Sequence, residues 1–252
     1  MFYLAAFSLL GFIACDKDAM IVEGLLAKIQ DFPHSVFTNM RCKKENDIIR
    51  YLCGASVVND RVVLTAAHCL AGCGSGSKIH IFVGKNTRGG QKASVKRYFV
   101  HKHYRRLPII NDIALMKLKT SLNFGNKVKR VALMANPPYH EKARVAGWGL
   151  NNEFTKERSP YLHYVDQYVR PAEECRKILK RNNEGTICAR SLNESSYASK
   201  GDSGSALVVR GYIQIGIVSY KVPKISRSLV VYTDTGYFYD WITHNTKRLY
   251  CA

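Results

Sequence analysis

The sequence is poor in acidic residues: 19 Asp and Glu stand against 38 Lys and Arg, a formal net charge of +19 over 252 residues. It also has no internal repeat, no low-complexity segment and no Pro-, Gly- or Ser-rich linker. These absences argue against a repeat array and against flexibly tethered domains. The shortage of acid leaves a basic surface, which attracts polyanions such as sulfated glycans, nucleic acid or anionic lipid. Solubility alone is the alternative explanation of this charge.

Long hydrophobic runs are also lacking after the first 15 residues, so we expect no membrane span. The opening run "MFYLAAFSLLGFIAC" stops at Asp16 and is short for a span. It is typical of a secretory signal peptide, which we assign to residues 1–15. A buried N-terminal helix is the alternative. A signal peptide predicts a secreted, extracellular protein.

A second cluster of Cys and His is missing as well. His68, Cys69 and Cys73 resemble a zinc-site fragment, but nothing at ligand spacing completes it. We therefore predict no metal and no cofactor. In a secreted protein the eight cysteines favour disulfides.

What is present is a series of short β-rich runs separated by turn signals. Nine such runs stand out: "YLCGASVV", "RVVLTAA", "KIHIFVG", "ASVKRYFV", "DIALMKL", "ARVAGWG", "SALVV", "YIQIGIVSY" and "SLVVYTDT". Their spacing predicts an all-β barrel or sandwich. Helical patterns are confined mainly to residues 172–181 and 239–249.

Three short motifs carry groups that can do nucleophilic chemistry. "LTAAHC" contains His68, "INDIALMKL" contains Asp112, and "GDSG" contains Ser203. A serine hydroxyl needs a base to take its proton, and that base needs a carboxylate to hold its tautomer. Each motif alone is weak evidence, but the order His, Asp, Ser at these separations is strong evidence for a catalytic triad.

With these motifs the sequence resembles the chymotrypsin/trypsin family of serine proteases. Further matches are "IVEG" from Ile21, "CGAS", "GWG" and "IVSY". The resemblance implies an all-β fold of two six-stranded antiparallel β-barrels with a short C-terminal helix. It places the protease domain at residues 21–252, with one barrel at about 21–130 and the other at about 131–252. It also implies that the active site lies between the barrels.

The resemblance also assigns roles beyond the triad. The backbone N–H groups of Gly201 and Ser203 would form an oxyanion hole, and Ser219 would support the aspartate of the triad. Asp202 would pair with a new N-terminal ammonium at Ile21 after cleavage of a short propeptide, residues 16–20. The protein would therefore be made as a zymogen, cut after Met20.

Family disulfides are matched only in part. The resemblance implies two family bridges, and neighbouring loops suggest a third that is specific to this lineage; the pairs are Cys53–Cys69, Cys175–Cys188 and Cys42–Cys73. Ala143 and Val209 stand where the family has another bridged pair. Ser199 stands where it has one half of a further bridge. Cys251 is left over, or pairs with Cys15.

The specificity pocket departs from the family pattern. Its floor position carries Tyr197, and two wall positions that are glycine in the family carry Lys221 and Val230. No acid lies at the pocket floor, so we expect narrow, non-tryptic specificity, at best for small apolar side chains. In the alternative, the Tyr197 ring turns into solvent and leaves the pocket open.

The sequence thus predicts a secreted, monomeric serine endopeptidase that acts on proteins or peptides. One alternative is a catalytically silent homologue that binds proteins, and another is a binder of heparin-like polyanions; we expect no specific nucleic-acid binding. A basic patch is predicted on one face from Arg105, Arg106, Arg170, Arg176, Lys177, Lys180, Arg181, Lys247 and Arg248.

Overall fold

The structure, a computed structural model, describes residues 21–22, 24–44, 47–180 and 184–251. Most of the regular structure in these ranges is β-strand. The strands are β1 (Leu25–Leu26), β2 (Ser35–Lys44), β3 (Asp47–Val57), β4 (Val62–Thr65), β5 (Lys78–Val83), β6 (Gln91–Val100), β7 (Arg105–Arg106), β8 (Ile109–Ile110), β9 (Ala114–Leu118), β10 (Ala143–Gly147), β11 (His163–Val169), β12 (Thr186–Arg190), β13 (Ala206–Val209), β14 (Ile213–Lys221) and β15 (Val230–Asp234). The helices are α1 (Ala172–Leu179), α2 (Tyr239–Cys251) and a 3₁₀ turn at Ala67–Cys69.

The first barrel closes in the order β2-β3-β4-β9-β6-β5, and every neighbouring pair is antiparallel. Strands β4 and β9 are buried along their whole length and read as continuous apolar runs apart from Lys117 and Thr65. Such runs are expected of strands that are covered on both faces. The small hairpin of β7 and β8 lies outside the barrel, in the connection from β6 to β9.

The second barrel is built from β11-β10-β13-β14-β15-β12 and closes where β11 pairs with β12. Strand β1 adds to its outside by pairing Leu25 with Tyr164 on β11. The prediction of two six-stranded antiparallel barrels is therefore confirmed. The beginning of the described chain thus belongs to the second barrel, although the other strands before residue 130 build the first barrel or its hairpin.

Both predicted helices form. Helix α1 ends at Leu179 because Lys180 adopts a left-handed backbone conformation, φ +50°, so the predicted end at residue 181 is too late. Arg181 itself lies outside the described residues. Helix α2 continues to Cys251 and packs Ile242 and Leu249 into the core of the first barrel. The C-terminal helix thus ties the end of the chain to its first half.

Three disulfides form, and they are the three predicted pairs: Cys42–Cys73, Cys53–Cys69 and Cys175–Cys188. Cys251 is free and exposed, while Cys15 lies outside the described residues. Ala143 and Val209 lie directly opposite each other on β10 and β13, and both are fully buried. An apolar contact thus fills the place of one missing family bridge.

The predicted signal peptide and propeptide also lie outside the described residues. Among the residues that are described, no helix is both long and apolar enough to cross a bilayer.

Candidate active site

His68 is held at the end of the first barrel by the chain on both sides. It lies in the 3₁₀ turn that follows β4, and the disulfide from its neighbour Cys69 to Cys53 anchors this turn to β3. The His68 ring nitrogen Nδ1 lies 2.8 Å from Asp112 Oδ2, and its backbone N–H donates to Asp112 Oδ1 over 2.8 Å. Both oxygens of one carboxylate therefore fix the position of this imidazole.

Asp112 precedes β9 and is 2% exposed. Ser219 Oγ donates to its Oδ2 over 2.5 Å, and Thr233 Oγ1 donates to its carbonyl oxygen over 2.8 Å. Burial raises the pKa of a carboxyl, but the hydrogen bonds and charge of His68 and the bond from Ser219 outweigh it, so the pKa of Asp112 lies below its usual value. Asp112 is thus ionised beside the imidazole. The sequence predicted Ser219 but gave no signal for Thr233, which comes from β15.

Ser203 lies on the loop between β12 and β13, and both barrels hold its backbone. Its carbonyl oxygen accepts from Gly54 N–H of the first barrel over 2.8 Å, and Gly204 N–H donates to Val218 of the second over 2.8 Å. Gly204 has φ +85°, and a Cβ there would lie 2.2 Å from Thr65 Oγ1. Only glycine allows this approach.

The structure therefore brings Ser203 beside the His68 turn: its carbonyl oxygen lies 3.7 Å from Cys69 Sγ. Within the described residues, no hydrogen bond joins the Ser203 hydroxyl to the His68 ring. Such catalytic hydrogen bonds are often long without substrate.

Asp202 immediately precedes Ser203 and is fully buried. Its carboxylate accepts from Gly149 N–H over 2.7 Å and from Ser199 N–H over 2.8 Å. A Cβ on Gly147 or Gly149 would lie 2.0 Å or 2.4 Å from this carboxylate, which explains both glycines of "GWG". Burial raises the pKa of Asp202 to about 6, against the opposing effect of its two backbone hydrogen bonds.

The predicted partner of Asp202, Ile21, is also buried and belongs to the core cluster of the second barrel. In the full-length chain the Ile21 nitrogen is a peptide nitrogen, and the carboxylate of Asp202 makes no ion pair within the described ranges. The next residue, Val22, accepts a hydrogen bond from Tyr197 N–H over 3.3 Å. Ile21 and Val22, which follow the predicted cleavage point, thus pack beside Tyr197.

The predicted oxyanion hole has its donors available. Gly201 has φ +109°, a conformation that favours glycine. Within the described chain, neither Gly201 N–H nor Ser203 N–H donates to a protein acceptor. The Arg158 guanidinium lies close to Gly201: a Cβ on Gly201 would be 2.5 Å from Arg158 Nη1. The assignment of these two N–H groups to an oxyanion hole stays a prediction.

The three predicted pocket residues lie together. Tyr197 is 3% exposed, Val230 is fully buried, and the Lys221 ammonium lies 4.2 Å from the centroid of the Tyr197 ring. The alternative in which the ring turns into solvent is therefore wrong. The ring stays inside because Ile21 and Val230 share its core cluster. A buried ring therefore occupies the position that the family resemblance assigns to the pocket floor.

Sequence reasoning missed one residue of this region, Glu153. Its carboxylate accepts a hydrogen bond from Ser199 Oγ over 2.5 Å, forms an ion pair with Lys221 and lies 3.4 Å from Tyr197 Oη. Glu153 is 46 residues from Ser199 and 68 from Lys221, so only the fold brings them together. Ser199 stands where the family has a bridged cysteine. Here it binds the Glu153 carboxylate, which also contacts Lys221 and Tyr197.

Cys53, His68 and Cys69 place possible metal-binding atoms within 4.8 Å of one another. The two sulfurs form a disulfide, so they are not thiolates and do not ligate as Cys does in zinc sites. This group therefore gives no support to a metal site.

The fold and the grouping of His68, Asp112 and Ser203 define the class of serine-protease-like proteins. The trypsin family model matches residues 21–242, and the chain belongs to the trypsin family. It is 32% identical to hypodermin-B of Hypoderma lineatum over 91% of this chain and 89% of that protein. It is 30% identical to the trypsin of Sarcophaga bullata, over 87% of this chain and 86% of that one.

Solved structures show the same fold. One described as HL collagenase has a TM-score of 0.79 and 23% identity, over 90% of this chain and 98% of that chain. A scabies mite inactivated protease paralogue has a TM-score of 0.77 and 23% identity, over 90% and 97%. At these identities the likeness concerns the fold alone.

Proposed function

We propose that the protein is a secreted serine endopeptidase with non-tryptic specificity, in which Ser203 is the nucleophile. The observation that carries this proposal is the bonded chain from Ser219 through Asp112 to His68, beside the loop that holds Ser203. Such a chain orients an imidazole as a general base. Family membership supports the same reaction class.

In the proposed reaction His68 Nε2 takes the Ser203 proton while Ser203 Oγ attacks the carbonyl carbon of the substrate. Asp112 stabilises the imidazolium that forms and stays ionised. The carbonyl oxygen becomes an oxyanion, which accepts hydrogen bonds from Gly201 N–H and Ser203 N–H. His68 then gives its proton to the leaving amine, and water hydrolyses the acyl-enzyme by the same steps.

The residues of the predicted pocket argue against cleavage after Arg or Lys. Tyr197 fills the floor, and the nearest acid, Glu153, is already paired with Lys221. A basic substrate side chain would therefore meet an aromatic ring and an ammonium. Like charges at close range cost binding free energy.

Activation is proposed to occur by cleavage between Met20 and Ile21 after secretion. Asp202 is buried in the full-length chain with a raised pKa, and a free ammonium at Ile21 would give it an opposite charge. The proposal therefore requires the new N-terminus for full activity.

Cleavage of an unfolded protein substrate tests the function. The chain beginning at Ile21 is expected to produce defined peptides, identified by mass spectrometry, and the Ser203→Ala variant none. A catalytically silent protein-binding homologue predicts no peptides from either.

Binding of a sulfated polyanion is a second candidate function, and a cationic groove between β6 and α2 favours it. The groove has a volume of about 320 Å³ and is lined by Arg97, Phe99, Asn245, Arg248 and Leu249. Within the described residues, neither of these arginines forms an ion pair. By contrast, Arg170 and Lys177 of the predicted patch are paired with Glu174 and Glu173. We therefore place the polyanion site at this groove.

A third cation, Lys117, adds to the positive potential at the groove. Lys117 is buried, with its ammonium 3.4 Å from the Tyr250 carbonyl oxygen. Burial and the neighbouring charges of Lys96, Arg97 and Arg61 lower the pKa of Lys117. An anion in the groove would relieve this repulsion.

Heparin chromatography tests the groove. Arg97→Glu with Arg248→Glu should lower the eluting salt concentration more than Lys43→Glu with Lys44→Glu, a pair with the same change in net charge. Equal shifts would mean that net charge alone is responsible.

A further inference from the structure

We propose that the pocket beside Ser203 is a receptor for an acidic substrate side chain, formed by Lys221, Ser199 and Tyr197, and that Glu153 occupies it in the free protein. This inference rests on the proposed function, because it names the side chain that the same site selects. It replaces the expectation of small apolar side chains, which considered the size of the pocket without its polar donors.

Three donors from separate segments converge on the Glu153 carboxylate. Ser199 Oγ donates to Oε1 over 2.5 Å, the Lys221 ammonium pairs with the same oxygen, and Tyr197 Oη lies 3.4 Å from Oε2. A carboxylate takes several hydrogen bonds from charged and neutral donors, and bonds to charged groups are the stronger ones. The set of donors therefore matches the chemistry of a carboxylate and of no cation.

The donors belong to the body of the protein. Ser199 and Tyr197 are buried, and Tyr197 packs in the core of the second barrel. The Lys221 side chain is 18% exposed and lies against the face of the Tyr197 ring. An ammonium that is largely out of water needs an anion, because an uncompensated charge is costly there. These residues thus form a fixed anion site.

The acceptor belongs to a surface loop. Glu153 is 36% exposed and lies between Leu150 and Arg158, whose backbones form a bridge at the base of the loop. Hydrogen bonds from Ser199 and Lys221 hold the pKa of Glu153 below its usual value, although partial burial opposes this. Glu153 is therefore ionised, and it is more exposed than the three donors. A substrate carboxylate could replace it without disturbing the barrel.

The receptor lies where selection of a substrate side chain affects hydrolysis. Tyr197 and Ser199 precede Ser203 on the same loop, and Lys221 follows Ser219, which binds Asp112. A side chain bound here belongs to a substrate whose carbonyl carbon lies at Ser203. Selection of Glu or Asp before the cleaved bond follows from this position.

Matched peptide substrates that differ only in the residue before the cleaved bond test the inference. With the chain beginning at Ile21, kcat/KM for Glu should exceed that for Gln at least about tenfold, since a largely enclosed ammonium discriminates charge. Lys221→Met should remove this preference. Glu153→Gln should raise kcat/KM for the Glu substrate several-fold, because the competing carboxylate is gone.

The matched control is Glu157→Gln, on the same loop. Within the described residues the Glu157 side chain forms no hydrogen bond or ion pair with the three donors, so this variant should behave as the wild type. Equal rates for Glu and Gln substrates, or an equal gain from Glu157→Gln, would overturn the inference.

Two further measurements separate this inference from the proposed function. A fluorophosphonate that labels Ser203 reports the nucleophile whatever the pocket selects, so labelling without a Glu preference overturns only the receptor. Peptide binding to the Ser203→Ala variant, measured by calorimetry, needs no catalysis. There the Glu peptide should bind at least about tenfold tighter than the Gln peptide, and Lys221→Met should abolish the difference; equal binding contradicts the receptor even in an inactive protein.

Discussion

The reactive centre and the pocket beside it differ in how much of the family pattern they keep. Around Asp112, the predicted contacts from His68 and from Ser219 are both present. At the predicted pocket positions, by contrast, a buried tyrosine, Tyr197, and a lysine in contact with its ring, Lys221, replace the residues of the family pattern. The two regions share the loop that carries Ser203. The residues of the predicted triad thus keep the family pattern, whereas the predicted pocket residues depart from it.

The two missing family bridges repeat this contrast. Ala143 and Val209 lie opposite each other as an apolar pair in the core of the second barrel. Ser199 instead binds Glu153, which also pairs with Lys221. An apolar core contact thus takes the place of one missing bridge, whereas a polar network takes the place of the other.

The largest effect is expected at the reactive centre. Asp112→Asn keeps the shape of the side chain but cannot hold the imidazole in the same tautomer, so kcat/KM should fall about 10⁴-fold. Steady-state kinetics on any cleaved peptide measures this. A loss of less than tenfold would mean that His68 does not act as the general base.

The next effect tests whether the pocket side chain is structural. Tyr197→Ala removes a buried ring and should lower the free energy of unfolding by about 3–5 kcal/mol. Tyr212→Ala is the control, because that ring in the same barrel is 52% exposed and should cost far less. Urea unfolding compares them, and equal losses would show that the ring does not support the pocket.

The third effect concerns the charge of Asp202, the residue that precedes Ser203. In the uncleaved chain the pKa of Asp202 is about 6, above its value of 3.8 when unfolded. The folded state therefore binds this proton more tightly, and the resulting stability is present below pH 4 and lost as the pH rises through 6. Between pH 3 and pH 7 the loss should be about 3 kcal/mol relative to Asp202→Asn.

Urea unfolding of both proteins at several pH values measures this difference. His34, whose pKa is lowered to about 4 by burial, changes stability in the opposite direction but equally in both proteins. The difference should disappear in the chain beginning at Ile21, where the ammonium keeps Asp202 ionised. Parallel curves for the uncleaved proteins would contradict a buried, unpaired carboxyl.

The smallest effect is expected from Ser219→Ala. It removes one hydrogen bond to the Asp112 carboxylate, so kcat/KM should fall about tenfold and the pKa of Asp112 should rise. Steady-state kinetics on the same peptide substrate measures the loss. A loss as large as that of Asp112→Asn would mean that Ser219 determines the position of the whole site.

The sequence predicts most of the fold because the nine β-rich runs fall on strands and bracket the catalytic motifs. It gives no clear signal for β2, β11 or β12, whose runs mix polar and apolar residues without a strong run of either. Within the site, Tyr197 and Lys221 could be identified from their positions next to motifs. Glu153 could not, because it is an exposed acid in a loop and gains its meaning only through contacts with distant segments.

Labelling of Ser203 by a fluorophosphonate tests the central claim most directly, since it needs the nucleophile, its base and the oxyanion hole but not the pocket. The chain beginning at Ile21 should take up about one label per molecule on Ser203, while Ser203→Ala should take up none. The uncleaved chain should react much more slowly. A folded protein with a free Ile21 ammonium that takes up no label would contradict the claim and identify a silent member of the family.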